Sequence, residues 1–119
     1  MFPPYAQLST YLTEGRLSEG REAYTAAVEA DDSNSTVWCW LSVIEERLGN
    51  HDGAVWAATR AYALSPNNVA IARQLIVTLK NSGRLGEVKK IYTRARRRWP
   101  NDVELKKLAL KADMVQVLR

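Results

Sequence analysis

The sequence of 119 residues predicts an all-α fold, an α-solenoid built from antiparallel helix pairs, on the strength of three observations. Two phrases recur 34 residues apart, since residues 65–69 read SPNNV and residues 99–103 read WPNDV. Glycine occupies one column of a 34-residue alignment, at Gly15, Gly49 and Gly83. Apolar residues recur at helical spacing on both sides of each glycine. Each row of 34 residues is therefore expected to fold as two helices joined by a turn.

The period divides one expected domain, 1–119, into rows 1–34, 35–68 and 69–102 and a remainder, 103–119. A glycine just past the first helix of each row suits a left-handed backbone, and Asn or Asp at the end of a row suits the cap of the next helix. The remainder is expected to be one amphipathic helix that covers the last row, with Leu105, Leu108 and Val115 on its apolar side. Seven helices are predicted, at 5–14, 17–30, 35–48, 52–64, 69–82, 85–98 and 102–117.

Residues that form the signature of a known helical repeat recur in these rows. The second row has Trp38, Leu41, Ala54, Ala61 and Pro66, and the third row has Leu75, Gly83, Tyr92, Ala95 and Pro100. This pattern resembles the tetratricopeptide repeat. The resemblance implies a right-handed superhelix whose first helices line a concave face, and a role in protein–protein interaction. The first row departs from the pattern, with Gly20 in place of an alanine and Asp32 in place of the proline.

Composition narrows the class of protein. The hydrophobic fraction of 46% and charged fraction of 25% are typical of a soluble globular protein, and no run approaches the roughly 20 apolar residues of a membrane span. Residues 1–5 lack the pattern of a secretory signal, and the single Cys39 has no partner for a disulfide within the chain. We therefore expect a cytoplasmic location. Charge is uneven, with three basic and nine acidic residues in 1–59 but fourteen basic and four acidic in 60–119.

No residue pattern indicates catalysis. His51 is the only histidine, it falls in a predicted turn, and Cys39 has no histidine partner in the pattern. The glycines at 15–20 are followed by Arg21 and Glu22, where a phosphate loop requires Lys and Ser or Thr. We expect a protein that is not an enzyme and that uses neither metal nor cofactor.

The repeat register predicts a partner-binding groove along the first helices of the rows. Trp38 and Trp40 lie about 200° apart around one helix, so both cannot face the same core. The repeat register also predicts a set of core positions, which are Trp38, Leu41, Ala54, Ala58, Ala61, Tyr92 and Ala95. Trp40 with Val43 and Tyr5 is expected to form an aromatic patch in the groove. Such a patch suits an apolar or amphipathic helix that carries some acidic residues, bound by an adaptor or a chaperone. The predicted groove residues are Phe2, Tyr5, Ser9, Leu12, Cys39, Trp40, Val43, Arg47, Arg73, Gln74, Val77 and Lys80. Arg47, Arg73 and Lys80 would form its basic rim, and the alternative is that several of these residues merely pack between repeats.

The second helix of the third row carries a dense basic surface. It is either a solvated convex face or a docking site for an acidic partner, which is a protein, an anionic lipid or a nucleic acid. Nucleic acid is the weakest of these, because no aromatic residues interleave with the cations. The alternative function is an assembly or scaffold protein, whose acidic first row meets the basic C-terminal half of another copy. The basic surface comprises Lys89, Lys90, Arg94, Arg96, Arg97 and Arg98.

Two subfamilies sharpen the expectation. The sequence is similar in size, repeat number and groove character to the small chaperones of bacterial type III secretion, which implies that it holds helical segments of other proteins. Tetratricopeptide domains that bind the acidic C-termini of heat-shock chaperones use a Lys/Asn/Asn/Lys/Arg clamp. None of the corresponding residues here matches that clamp, so we expect no such binding. Those residues are Tyr5, Ser9, Trp40, Ala70 and Gln74.

Overall fold

The computed structural model describes the backbone of residues 5–118 and the side chains of residues 8–111 and 114–118. It contains α1 (Tyr5–Thr13), α2 (Leu17–Ala30), α3 (Ser35–Arg47), α4 (His51–Leu64), α5 (Val69–Asn81), α6 (Leu85–Arg98), α7 (Val103–Leu110) and α8 (Ala112–Val115). Residues 5–118 contain no strand, so the predicted all-α solenoid is confirmed. No bound of α1 to α6 differs from its prediction by more than one residue. None of the eight described helices is long and apolar enough to cross a membrane.

Side-chain caps start the first helix of the successive pairs. Asn34, Asn68 and Asp102 are the residues just before α3, α5 and α7. Their side-chain oxygens accept hydrogen bonds from backbone N–H groups two or three residues further on, at 2.9 to 3.2 Å. These bonds satisfy donors that the first turn of a helix leaves without a partner. The predicted role of the recurring Asn and Asp residues is confirmed.

The turn inside each pair depends on a glycine with a left-handed backbone. Gly15, Gly49 and Gly83 have φ of 68°, 80° and 77°, and no other residue type in the described chain has positive φ. A side chain at these positions would strain the turn, because L-residues rarely adopt this conformation. The glycine column predicted from sequence therefore marks the point where each first helix ends.

The last predicted helix, 102–117, is wrong in its continuity. Lys111 has an extended backbone, with φ −68° and ψ 138°, and separates α7 from α8. In an unbroken helix Met114 would lie about 180° from Leu105, because nine residues turn through about 900°. The break instead buries both side chains in one core. Two other apolar side chains of this region are exposed. Leu110 is 80% exposed, and Val115, which was predicted to face the core, is 38% exposed.

Small residues let the helices of the core approach closely. Four alanines of α4 are buried against α3 and α5, and most of the predicted core positions are buried with them. The core has two halves, the first around Tyr24, Trp38 and Leu41 and the second around Leu75, Val88 and Leu105. Tyr92 is an exception among the predicted positions, because its ring is only half-buried at the edge of the second half. Tyr62 packs against both halves and joins them. The buried members of the predicted set are Trp38, Leu41, Ala54, Ala58, Ala61 and Ala95.

Replacing Trp38 with alanine is expected to lower the free energy of unfolding by about 3 to 5 kcal/mol. The ring is 4% exposed, lies edge-on to Trp56 with centroids 4.9 Å apart, and donates from Nε1 to the carbonyl of Asp32 at 2.9 Å. Urea denaturation measures the loss. Trp56→Ala is the control, because that ring is 59% exposed and should cost much less. Equal losses for the two variants would show that Trp38 is not the core residue of this pair.

Candidate functional site

The two tryptophans of α3 occupy different environments, as their angular separation requires. Trp38 is buried, whereas Trp40 is half-buried and packs on Tyr24 with ring centroids 5.7 Å apart and an interplanar angle of 50°. Tyr24 in turn meets Tyr11 edge to face, with centroids 5.7 Å apart and planes at 87°. Rings from α1, α2 and α3 therefore form a continuous aromatic run. Val43, one turn beyond Trp40, is half-buried as well.

The middle ring of the aromatic run carries a buried hydroxyl. The side chain of Tyr24 is fully buried, and its hydroxyl has no hydrogen-bond partner among the described residues. Burial, and to a lesser degree the neighbouring Tyr11, raises the pKa of Tyr24 to about 12. The phenol therefore stays neutral at physiological pH, and the support beneath Trp40 is uncharged.

Cys39 also lies on α3, half-buried against the first half of the core. Burial raises the pKa of its thiol to about 11. Since the thiolate is the nucleophilic form, the thiol is poorly reactive at neutral pH. Its place in the structure is that of a small apolar contact.

The other half of the predicted groove is formed by α5 and α7. Arg73, Gln74 and Val77, all predicted groove residues, line one cavity of about 270 Å³ together with Ala70. The opposite wall comes from α7 and the residue after it, which were predicted to belong to the covering helix. Those residues are Glu104, Leu108 and Lys111. They follow Ala70, Gln74 and Val77 by 34 residues each, so carrying the period into the remainder would have found them.

The predicted basic rim is only partly available. Arg73 Nη1 forms an ion pair with Asp102 Oδ2 at 2.9 Å, which matches its charge within the molecule. Gln74 Nε2 donates to Thr78 Oγ1 at 3.1 Å. Arg47 is exposed and Lys80 is half-buried. The rim that can meet a partner is therefore less positive than the sequence predicted.

The predicted residues of α1 contribute less to a described surface. Ser9 is exposed and Leu12 packs against the core. Phe2 lies outside the described residues, and so does the side chain of Tyr5. The aromatic run on α3 and the cavity between α5 and α7 are separate features, and no described cavity joins them.

A larger cavity, which the sequence did not predict, lies between the second helices α2 and α4. Its volume is about 570 Å³, and Trp38 and Leu41 of α3 contribute to its lining. Trp56 stands at this cavity with an exposed ring, and a tryptophan outside the apolar stripe of α4 is the sequence signal that could have found it. The guanidinium carbon of Arg60 lies 5.5 Å from the centroid of the Trp38 ring. Its Nη2 lies 3.9 Å from Asp32 Oδ2.

The deepest charge in this cavity is already matched. The buried Glu45 carboxylate accepts hydrogen bonds from Arg21 Nε and from Asn50 Nδ2. The hydrogen bond to Glu45 raises the pKa of Arg21 above its ordinary value. A Cβ on Gly53 would lie 2.5 Å from both Glu45 Oε2 and Asn50 Nδ2, so a larger residue there would require the ends of these two side chains to shift. The network fixes α2 and α4 against α3.

The basic surface lies along α6 as predicted, and its residues are exposed except for the half-buried Arg96. Arg96 Nη1 donates to the carbonyl of Pro100 at 2.7 Å, and Arg98 Nη2 donates to Asn67 Oδ1 at 2.6 Å. Both acceptors are uncharged. Among the described residues no ion pair joins a cation of the basic surface to a carboxylate.

Comparison with known proteins identifies the family. The tetratricopeptide repeat model matches residues 5–69, more than half of the chain, and the chain therefore belongs to this family. It is 32% identical over 71 residues to the peroxisomal targeting signal receptor of Yarrowia lipolytica. The match takes in 60% of this chain but only 12% of the length of that receptor.

Solved structures share the fold at low sequence identity. The second tetratricopeptide domain of human RPAP3, in complex with the HSP70 peptide SGPTIEEVD, matches with a TM-score of 0.78 and 15% identity over 96% of this chain and 91% of that one. The type III secretion chaperone SycD of Yersinia enterocolitica, in complex with a peptide of the translocator YopD, matches with a TM-score of 0.76 and 17% identity over 96% and 86%. At this identity the likeness, including the one expected for secretion chaperones, shows the fold alone.

Alkylation of Cys39 by iodoacetamide is expected to be slow at pH 8 and to speed up as the pH approaches 11. A pKa of about 11 instead of 9.0 makes the thiolate fraction about 100-fold smaller at pH 8. The same shift stabilises the folded state fully below pH 9, and this stabilisation is lost as the pH rises through 11. Mass spectrometry of this single cysteine follows the reaction. Labelling of the folded protein at pH 8 as fast as in urea would contradict the burial of the thiol.

Proposed function

We propose that this protein is a non-enzymatic interaction module that binds an amphipathic helix of a partner protein along the face formed by α1, α3, α5 and α7. It would act as an adaptor or a chaperone, and we propose a cytoplasmic location. The observation that carries the proposal is the cavity of about 270 Å³ between α5 and α7, because three residues predicted from repeat register line it. A groove between successive first helices suits a helical ligand that inserts side chains at intervals of three and four residues.

The lining of this cavity suits an apolar anchor with mixed polar neighbours. Val77 and Leu108 offer apolar contacts, while Glu104 and Lys111 place one charge of each sign at its edge. The aromatic run adds a second apolar contact at Trp40 on α3. Aromatic anchors in partly buried positions contribute more binding energy than scattered polar contacts. Acidic residues of the ligand would be placed near Arg47, which forms no hydrogen bond or ion pair with the described residues.

The structural neighbours support peptide binding in general but not one ligand. The RPAP3 and SycD domains are described in complexes with peptides, and the fold is what this chain shares with them. A terminal carboxylate needs cations or amides to receive it. Of the positions that correspond to the heat-shock clamp, only Gln74 offers an amide, and it already donates to Thr78. We therefore propose an internal helical segment as the ligand.

Trp40→Ala and Val43→Glu are each expected to weaken binding of a helical peptide by at least about 2 kcal/mol, roughly 30-fold in the dissociation constant. The peptide is selected from a displayed library of amphipathic helices and titrated by calorimetry. Thermal melts of each variant check that the fold is intact. Trp56→Ala is the matched control, because it removes an exposed tryptophan at the cavity between α2 and α4. The peptide SGPTIEEVD should show no measurable binding in the same titration.

Four results would count against the proposal. Trp40→Ala would refute the groove assignment if it left peptide affinity unchanged, or if it unfolded the protein as Trp38→Ala is expected to do. Micromolar binding of SGPTIEEVD would show that the face receives a terminal carboxylate in spite of the missing clamp. Equal weakening by Trp56→Ala would place the peptide on the second helices.

A further inference from the structure

We propose a second binding site, for an acidic segment of a partner protein, in the cleft between the second helices α4 and α6. The cleft has a volume of about 250 Å³. Arg94 and Arg98 of α6 line it together with Tyr62 of α4 and Trp99, which follows α6. It lies between second helices, whereas the groove proposed above lies along first helices. The proposal therefore does not depend on the groove.

One arginine of the cleft is held in position by uncharged groups. Arg98 Nη2 donates to Asn67 Oδ1 at 2.6 Å, and its guanidinium carbon lies 5.9 Å from the centroid of the Trp99 ring. These contacts orient the planar guanidinium, but neither supplies a negative charge. A positioned cation without a counter-ion loses little side-chain freedom when a carboxylate binds to it.

The second arginine stands one helical turn away and has no counter-ion. Arg94 and Arg98 are separated by four residues on α6, so both project to the same side, and both line the cleft. Arg94 forms no hydrogen bond or ion pair with any described residue. Two guanidinium groups in one cleft can together bind carboxylates through charge-assisted hydrogen bonds.

Stabilisation of the helix end accounts for only part of the positive charge on α6. Arg96, Arg97 and Arg98 lie in the last turn, where cations interact favourably with the helix dipole. Arg94 precedes that turn, as do Lys89 and Lys90. These three cations repel one another and the last-turn arginines, and an acidic ligand would relieve that repulsion.

The size of the cleft argues against a small-molecule ligand, and its walls favour a peptide over a nucleic acid. A volume of about 250 Å³ accommodates a side chain but is below the roughly 300 to 1,000 Å³ of small-molecule pockets. Tyr62 and Trp99 reach the cleft from outside the basic stripe, so the lack of aromatic residues within the stripe does not by itself exclude a nucleic acid. Both rings are half-buried against the core, however, whereas stacking of bases requires open aromatic faces. Acidic residues next to apolar ones match these walls and charges.

The test uses a fluorescein-labelled peptide of repeated Glu-Glu-Leu units, with binding to the full chain measured by anisotropy. Arg94→Ala and Arg98→Ala are expected to weaken binding about tenfold or more, and Arg94→Gln should do the same. Arg97→Ala is the matched control, since it removes the same charge from the same helix but does not line the cleft. It should weaken binding by no more than about twofold. Trp40→Ala should leave binding of this peptide unchanged, which separates the cleft from the proposed groove.

Several outcomes would overturn the proposal. Equal weakening by Arg94→Ala and Arg97→Ala, with melting temperatures unchanged, would reduce the effect to the general field of α6. Tighter, Arg94-dependent binding of a single-stranded oligo-dT or of phosphatidylserine vesicles would assign the cleft to a nucleic acid or a membrane. Self-association in sedimentation equilibrium that Arg94→Ala abolishes would make the occupant a second copy of the chain. No binding of the Glu-Glu-Leu peptide at low salt would leave the cleft without the proposed ligand class and refute the proposal.

Discussion

The capping hydrogen bonds of Asn34, Asn68 and Asp102 fix the register on which the surfaces of the molecule depend. Each bond sets the residue at which a first helix begins, and a left-handed glycine sets where the first helix of each of the three rows ends. A helix with a fixed start has fixed faces, because each residue turns the chain by about 100°. That rotation buries Trp38 in the core and leaves Trp40 half-buried against the aromatic run. Asp102 adds a second constraint, since the same carboxylate that caps α7 pairs with Arg73 of α5.

Local signals explain why α1 to α6 were predictable and why later features were not. Caps, positive-φ glycines and apolar periodicity act within a few residues, and they set the helix bounds. The break at Lys111 has no such signal, because it follows from burying Met114 in the same core as Leu105. The pairing of Arg73 with Asp102 spans 29 residues and removes a cation that the sequence assigned to the groove rim. The cavity between α2 and α4 likewise depends on how separate helices pack, which no single helix records.

The surface formed by the second helices has ion-paired side chains at one end and cations without counter-ions at the other. At the cavity between α2 and α4, Arg21 forms an ion pair with Glu45, and Arg60 lies near Asp32. On α6 the cations meet only uncharged acceptors among the described residues. The network around the buried Glu45 carboxylate holds helices together, whereas a row of cations without counter-ions attracts ligands of opposite charge.

Fluorine NMR of the protein labelled with 5-fluorotryptophan tests the central claim most directly, because each of the four tryptophans reports on a different place. Trp38 lies in the core, Trp40 on the aromatic run, Trp56 at the cavity between α2 and α4, and Trp99 at the cleft beside α6. On addition of a selected amphipathic helix, the Trp40 resonance should shift while those of Trp56 and Trp99 stay in place. A shift of Trp56 or Trp99 with an unmoved Trp40 would show that the first helices do not form the binding face.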